Sequence, residues 1–529
     1  MHGGMFGKYN TIVEKLDPIK YIGRIQRING MVIESLGPQV VMGELCQIQL
    51  GDGRQALAEV VGIDGKIVRL MPYTELDGLE TGCPVVAQNR RLSVPVSTRL
   101  LGRVINAYGE PIDGKGSVAS VKHYPAMAKA PDALQRALIT EQLGTGVRAI
   151  DALLPLGKGQ RLGIFAGSGV GKSTLLGMIA RNTTADVNVI ALIGERGREV
   201  REFIEHDLGP EGLKRSVIIV ATSDQPPLAR LKAAYVATSV AEYFRDLGKD
   251  VVLMFDSVTR FAKAQREIGL STGESPATRG YPPSVFSLLP RLLERAGTGE
   301  KGSITGLYTV LVDGDDLDEP ISDAVRGILD GHLVLSRKLA ERNQYPAIDV
   351  LGSISRLASK VCTPEQKAIT ASIRKLMAIH AENEDLINVG AYAAGSHPDI
   401  DASIKKQPAI RAFLQQGVDD SAHLVDTWKT AAVIAGLPLP PEQVEKLDIA
   451  TAALAARRSV LYGEGEPGPI GTHLRSAGPS NRPGARVEIP RHIEDEFQDP
   501  DNMVVRFDDE DELRDVEASE TARRVGAPA

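Results

Sequence analysis

The chain has three cysteines in 529 residues, Cys46, Cys83 and Cys362. They are odd in number and far apart, which speaks against a disulfide framework and against a cysteine metal site. A reducing cytoplasm is the compartment that fits such usage. Long apolar runs are also missing. No stretch reaches the roughly 18–20 residues that a membrane-spanning helix needs, and the N-terminus lacks a signal-type apolar core. The expectation is a soluble protein that meets a membrane only through partners. Excess positive charge is absent too: 61 Lys+Arg stand against 68 Asp+Glu, a formal net charge of −7 at pH 7. That argues against a chain-wide nucleic-acid footprint. There are no internal repeats.

What remains is ordinary globular material, 43% hydrophobic and 24% charged, in a chain too long for one core. Residues 1–20 begin glycine-rich and then place Ile12, Val13 and Leu16 at helical spacing. This reads either as a frayed terminus or as a partner-docking helix. Residues 21–96 change texture. Short apolar runs such as Gly30–Ser35, Gln39–Met42, Ala58–Ile63 and Lys66–Met71 alternate with Gly-Pro and Asp-Gly punctuation, which predicts a small β-barrel. The segment lacks interleaved aromatic and basic residues, so a base-stacking platform is not expected. Residues 97–360 alternate strands and helices, the texture of a parallel sheet. Val187–Ile193, Ser216–Ala221, Asp250–Phe255 and Tyr308–Val312 read as strands covered on both faces. Residues 361–460 read as helical, opening at Pro364 behind a Thr363 cap. Residues 461–529 pass through a Gly/Pro-rich linker into an acidic stretch, expected to be disordered.

Chemistry concentrates first in Gly163-Ile-Phe-Ala166-Gly167-Ser168-Gly169-Val170-Gly171-Lys172-Ser173-Thr174. The order is strand, glycine loop, helix, the arrangement of a Walker A phosphate cradle. Glycines let backbone N–H groups turn toward an anion, and the helix N-terminus adds its positive end. Lys172 supplies a mobile charge for outer phosphates, and Ser173 a hydroxyl for Mg²⁺. The usual first glycine is Ala166 here, while Gly167, Gly169 and Gly171 keep the loop glycine-rich. Asp256, at the end of an apolar strand, is the natural acid to hold Mg²⁺. Glu195, at the end of another, stands where a carboxylate orients a water for attack on the γ-phosphate. Arg196 beside it is expected to hold Glu195 or to meet developing charge. Taken alone, the Glu-Arg-x-Arg-Glu run at 195–199 also fits a surface salt-bridge network.

Gly194-Glu195-Arg196 after a P-loop resembles the catalytic motif of the rotary and RecA-like hexameric ATPases. Tyr345–Arg356 and Asp330–Arg337 are similar to signature segments of F-type ATP synthase α and β chains. Arg198–Phe203, Ser257–Arg260, Ala264–Gly269 and Pro276–Phe286 resemble flagellar protein export ATPases and their type III secretion relatives, over roughly residues 20–450. The resemblance implies an α/β fold: a RecA-like P-loop NTPase core with an N-terminal β-barrel and a C-terminal helical domain. It implies an ATPase with ATP and Mg²⁺ as cofactors, whose cradle is Gly167, Ser168, Gly169, Val170, Gly171, Lys172, Ser173 and Thr174. Asp256 and Ser173 would hold the metal, Glu195 would polarise the water, and Tyr345 would stack on adenine. Arg356 would be an arginine finger reaching a neighbouring subunit. Lys172, Glu195 and Arg356 occur in one chain, so a homohexamer could build every site. Other implied partners are a stator-like regulator at the N-terminus, a central stalk protein in the pore near residues 269–284, membrane proteins of the export gate, and export substrates with their chaperones. Nucleic acid is not among them. The implied location is cytoplasmic, peripheral to the inner-membrane export apparatus. Alternatives are an injectisome ATPase, a catalytic chain of an F- or V-type ATPase and, more remotely, an RNA-translocating hexameric helicase.

Overall fold

The computed structural model describes residues 20–462, apart from positions 76, 121, 313–315 and 317. The expected N-terminal docking helix and the acidic tail from 463 on lie outside the described residues.

Six strands, Ile22–Asn29, Val32–Leu36, Glu44–Gln49, Gln55–Asp64, Ile67–Pro72 and Pro84–Arg91, close into an antiparallel barrel. Alternate side chains point inward, as the period of a strand dictates: Ile25, Ile33, Cys46, Ile48, Ala58, Val60, Val68, Leu70 and Val85 fill the interior. Closure pairs the strand edges. One glycine is obligatory, because a Cβ on Gly23 would meet the Gly37 carbonyl carbon at 2.3 Å. The apolar run Gln39–Met42, expected as a strand, is instead irregular loop with Val41 and Met42 exposed, entering Glu44–Gln49 through a turn at Met42 and Gly43, the latter at φ +78°.

The central sheet runs, edge to edge, Ile348–Ser355, Gly331–Leu335, Arg161–Ala166, Ser303–Leu311, Asp250–Asp256, Val187–Ile193, Ser216–Ala221 and Val104–Ile105. Its pairings along this path are parallel except for the Ile348–Ser355 edge strand. Every residue of Val187–Ile193 and Ser216–Ala221 is buried, because both faces are covered. Val187, Val189, Ala191 and Ile193 pack toward helices Pro227–Asp246 and Val258–Ser271. Ile190 and Leu192 pack toward helix Lys172–Asn182 and the C-terminal helices.

The C-terminal region contains helices Pro364–Asn388, Pro398–Leu414, Leu424–Ala435 and Pro441–Tyr462. The first opens as its sequence predicts. Thr363 Oγ1 accepts from Gln366 N–H at 3.3 Å, and Gln366 Oε1 accepts from Thr363 N–H at 2.9 Å, a complete capping box. Buried Trp428 anchors the region against the sheet side. The barrel is tied to the sheet's helical face by buried polar groups: Lys232 Nζ donates to Glu59 at 2.7 Å, and Tyr73 Oη donates to the same carboxylate at 2.6 Å. No helix among the described residues is long and apolar enough to cross a membrane.

Candidate active site

The parallel strands deliver their C-terminal ends to one rim, where ligands bind in such sheets. Strand Arg161–Ala166 ends there and runs into the glycine loop. Ala166 is wholly inside the sheet, pairing with Leu311 and Leu335, so the missing first glycine leaves the turn itself untouched. Gly169 and Gly171 take φ of +79° and +89°, values that favour glycine. Helix Lys172–Asn182 starts directly after Gly171 with no side-chain cap, which leaves its first N–H groups directed at the loop. Ser173 is exposed on the first turn.

Lys172 reaches from this turn to two acids. Its ammonium contacts Asp256 Oδ1 and lies 3.5 Å from Glu195 Oε1. Strand Asp250–Asp256 places the first acid and strand Val187–Ile193, followed by Gly194, places the second; the two strands are adjacent. Thr309 Oγ1 donates to Asp256 Oδ1 at 2.7 Å. Arg260 donates to Glu195 Oε2 at 3.1 Å. Glu195 Oε1 is buried without a hydrogen-bond donor, since its approach to Lys172 is an ion pair only. Burial first, and then the Asp256 charge, push the Glu195 carboxyl up to about 7, against the pull of Lys172 and Arg260. The hydrogen bond to Glu195 holds the half-exposed Glu199 carboxyl below its usual range.

Two other residues named from sequence sit elsewhere. Arg196 points outward with its side chain 79% exposed and pairs with Glu199 at 3.5 Å. It is the extended residue preceding the short helix Gly197–Glu202, a placement that turns it away from Glu195. The side chain that holds Glu195 is Arg260, which contiguity in sequence could not indicate. Arg356 lies at the opposite end of the sheet from the glycine loop. Its strand pairs Ser355 with Gly331, whereas the loop end is level with Leu335. Its backbone N–H donates to Asp330 O at 3.0 Å, and its exposed guanidinium touches Arg326 O at 3.5 Å.

Tyr345 does approach the loop. Its Cδ1 and Cε1 lie 3.6 and 3.7 Å from the point where a Cβ on Gly171 would be, and the residue is 41% exposed. A cavity of about 270 Å³ opens on the other flank of Arg161–Ala166, lined by Gly167, Leu335, Arg337, Lys338 and Asp349 among others. It lies toward the sheet edge, away from Glu195 and Asp256.

Known families match this layout domain by domain. The ATP synthase alpha/beta family beta-barrel domain matches residues 25–89, its nucleotide-binding domain residues 146–355, and the T3SS EscN ATPase C-terminal domain residues 362–430. The chain is 57% identical to the flagellum-specific ATP synthase of Treponema pallidum, over 84% of this chain and 100% of that protein. It is 53% identical to the type 3 secretion system ATPase of Xanthomonas euvesicatoria, over 75% of this chain and 90% of that one. Among solved structures, the assembled ATPase EscN of enteropathogenic E. coli in complex with its central stalk EscO matches with a TM-score of 0.74. That match has 45% identity and covers 78% of this chain and 100% of EscN. With the glycine loop, Lys172 and the two strand-end acids in place, the chain belongs to the family of flagellum-specific ATP synthases and type III secretion ATPases.

Proposed function

We propose that the chain hydrolyses ATP with Mg²⁺ at the Lys172 cluster and drives flagellar protein export from a ring of identical copies. One observation carries the reading. Lys172 meets both Glu195 and Asp256 beneath the loop, while Arg356 sits at the other end of the same sheet. On this reading one copy supplies a cradle, a metal acid and a water-orienting acid, and the next copy supplies the finger.

The roles follow from the atoms. Backbone N–H groups from Gly167 to Thr174 cradle the phosphates, and Lys172 neutralises the β- and γ-phosphates. Ser173 and Asp256 would hold Mg²⁺. Both offer the hard oxygen donors a divalent cation suits, and Asp256 stands at the rim where buried Glu195 Oε1 lacks a hydrogen-bond donor. When bound, the ion supplies Lewis-acid charge to the phosphoryl oxygens. Glu195 is held at Oε2 by Arg260 and presents Oε1 to the attacking water, whose proton it accepts. Tyr345 carries the adenine ring. Arg356 crosses to the γ-phosphate of a neighbouring copy, a contribution of roughly 10³–10⁵ in rate for such fingers.

This division of parts calls for neighbouring identical copies, and a homohexamer is the proposed assembly. EscN has been solved with a central stalk, and a stalk protein in the pore, touched by residues 269–284, is the corresponding partner here. Residues 1–20 would dock a stator-like regulator. Export gate proteins, substrates and chaperones complete the set at the cytoplasmic face of the inner membrane. An injectisome role is the second reading, favoured by the match of residues 362–430 to the EscN C-terminal domain. Deleting the gene separates the two: loss of motility supports the flagellar role, and loss of effector secretion with motility intact supports the other. For the chemistry, phosphate release by Glu195→Gln is the test. Abolished turnover with ATP still bound is expected, and turnover at the wild-type rate would refute the assignment.

A further inference from the structure

The backbone of Tyr345, whose ring lies near the loop, is hydrogen-bonded by a residue far away in sequence. Gln416, 5% exposed, follows helix Pro398–Leu414. Its backbone N–H donates to Tyr345 O at 2.9 Å. Its side chain is spent on the segment before the glycine loop: Oε1 accepts from Arg148 N–H at 3.0 Å, and Nε2 donates to Gly146 O at 2.8 Å and to Asp420 O at 3.0 Å. Arg148 reinforces the joint by donating to Phe413 O at 2.9 Å and to Gln415 O. At the far end of the P-loop helix, Arg181 donates to Val418 O at 2.6 Å. The segment 413–420 thus binds the turn at 146–148, the P-loop helix and the chain at Tyr345 at once.

We infer that Gln416 is a positioning residue: it locks segment 413–420 so that its N–H holds Tyr345 over Gly171, and the helical region thereby sets affinity for the base. This rests on the proposed role of Tyr345. Side-chain amides buried with all three hydrogen bonds made fix geometry tightly, and truncation leaves the partner groups without partners. The hydrogen bonds of Gln416 go to Tyr345, Arg148, Gly146 and Asp420, not to the glycine loop, Asp256 or Glu195, and segment 413–420 meets the P-loop helix at Arg181, on the end away from the phosphates. The loss of Gln416 is therefore felt at the base and spared at the phosphates.

The test is steady-state ATP hydrolysis by the full chain carrying Gln416→Ala, Tyr345→Ala or both, with tripolyphosphate as a base-free competitive inhibitor. The expected result for Gln416→Ala is a rise in KM for ATP of about fivefold or more with kcat within about twofold. The tripolyphosphate inhibition constant stays unchanged, and Gln416→Ala adds nothing once Tyr345 is alanine. Arg148→Ala, which loosens the same segment from the other side, is the second variant and raises KM in the same selective way. A fall in kcat together with weaker tripolyphosphate inhibition would overturn the inference, since it would mark a general structural defect. So would an unchanged KM in Gln416→Ala beside a raised KM in Tyr345→Ala. An unchanged KM in Tyr345→Ala would instead refute the base platform itself.

Discussion

Gly194 and Arg260 are fitted to each other. A Cβ on Gly194 would stand 2.8 Å from Arg260 Cδ, and Gly194 itself has φ of +70°. Only a bare backbone lets the Arg260 side chain pass and reach Glu195 Oε2 at 3.1 Å. Gly194→Ala is therefore expected to lower kcat more than tenfold, roughly the scale of losing correct orientation of a catalytic group. The left-handed conformation adds a stability cost of about 1 kcal/mol. Single-turnover hydrolysis and a urea melt read the two effects separately.

Arg260→Ala frees Glu195 Oε2 from its donor and removes a positive charge that favours ionisation. The expected outcome is a shift of the acidic limb of the kcat–pH profile to higher pH, with ATP binding retained. A profile identical to wild type would show that Arg260 does not set the state of Glu195.

Glu195 also carries a stability signature. Its folded carboxyl titrates at about 7, above an ordinary value of 4.5, so ionising it penalises the folded state. That penalty is absent below about pH 4.5, grows as pH rises through the window, and is complete above about pH 7. In the nucleotide-free protein, Glu195→Gln should melt a few degrees above wild type at pH 8, an advantage that vanishes near pH 4.5, roughly as the linkage predicts. Differential scanning calorimetry at both pH values checks it.

The barrel joint gives a prediction independent of catalysis. Lys232 and Glu59 are both buried and bridged at 2.7 Å, with Tyr73 on the same carboxylate. Lys232→Met alone strands a buried charge and should cost about 3–5 kcal/mol. Replacing the group together, as Lys232→Met with Glu59→Leu and Tyr73→Phe, should recover most of that loss in urea unfolding.

Much of the site was legible because its parts end apolar runs. Asp256 and Glu195 each close a buried strand, and parallel strands bring their ends to one rim, so local pattern sufficed. The strand at 187–193 and the Thr363 cap were readable for the same local reason. Gln39–Met42 misled because an apolar run beside Gly43 carries no sign of whether a sheet partner exists. The roles of Arg260 and Gln416 are not legible in sequence for a different cause. Each acts across a large sequence separation, 65 residues to Glu195 and 268 to Arg148, and a lone arginine or glutamine has no periodicity to betray its partner. Arg196, by contrast, was favoured by contiguity, yet the start of the helix at Gly197 faces it to solvent. Tyr345 and Arg356 rested on family resemblance, and their backbone placements, one at the loop and one at the far end of the sheet, are what geometry adds.

The proposed site joins Lys172 and Glu195 of one copy to Arg356 of another. Mixing Arg356→Ala chains with Glu195→Gln chains probes this arrangement, since each alone lacks one half of every site. In a randomly mixed ring about a quarter of the sites regain both halves. The mixture is expected to hydrolyse ATP well above the sum of the two inactive proteins. A mixture no more active than that sum, with rings still formed, would contradict it.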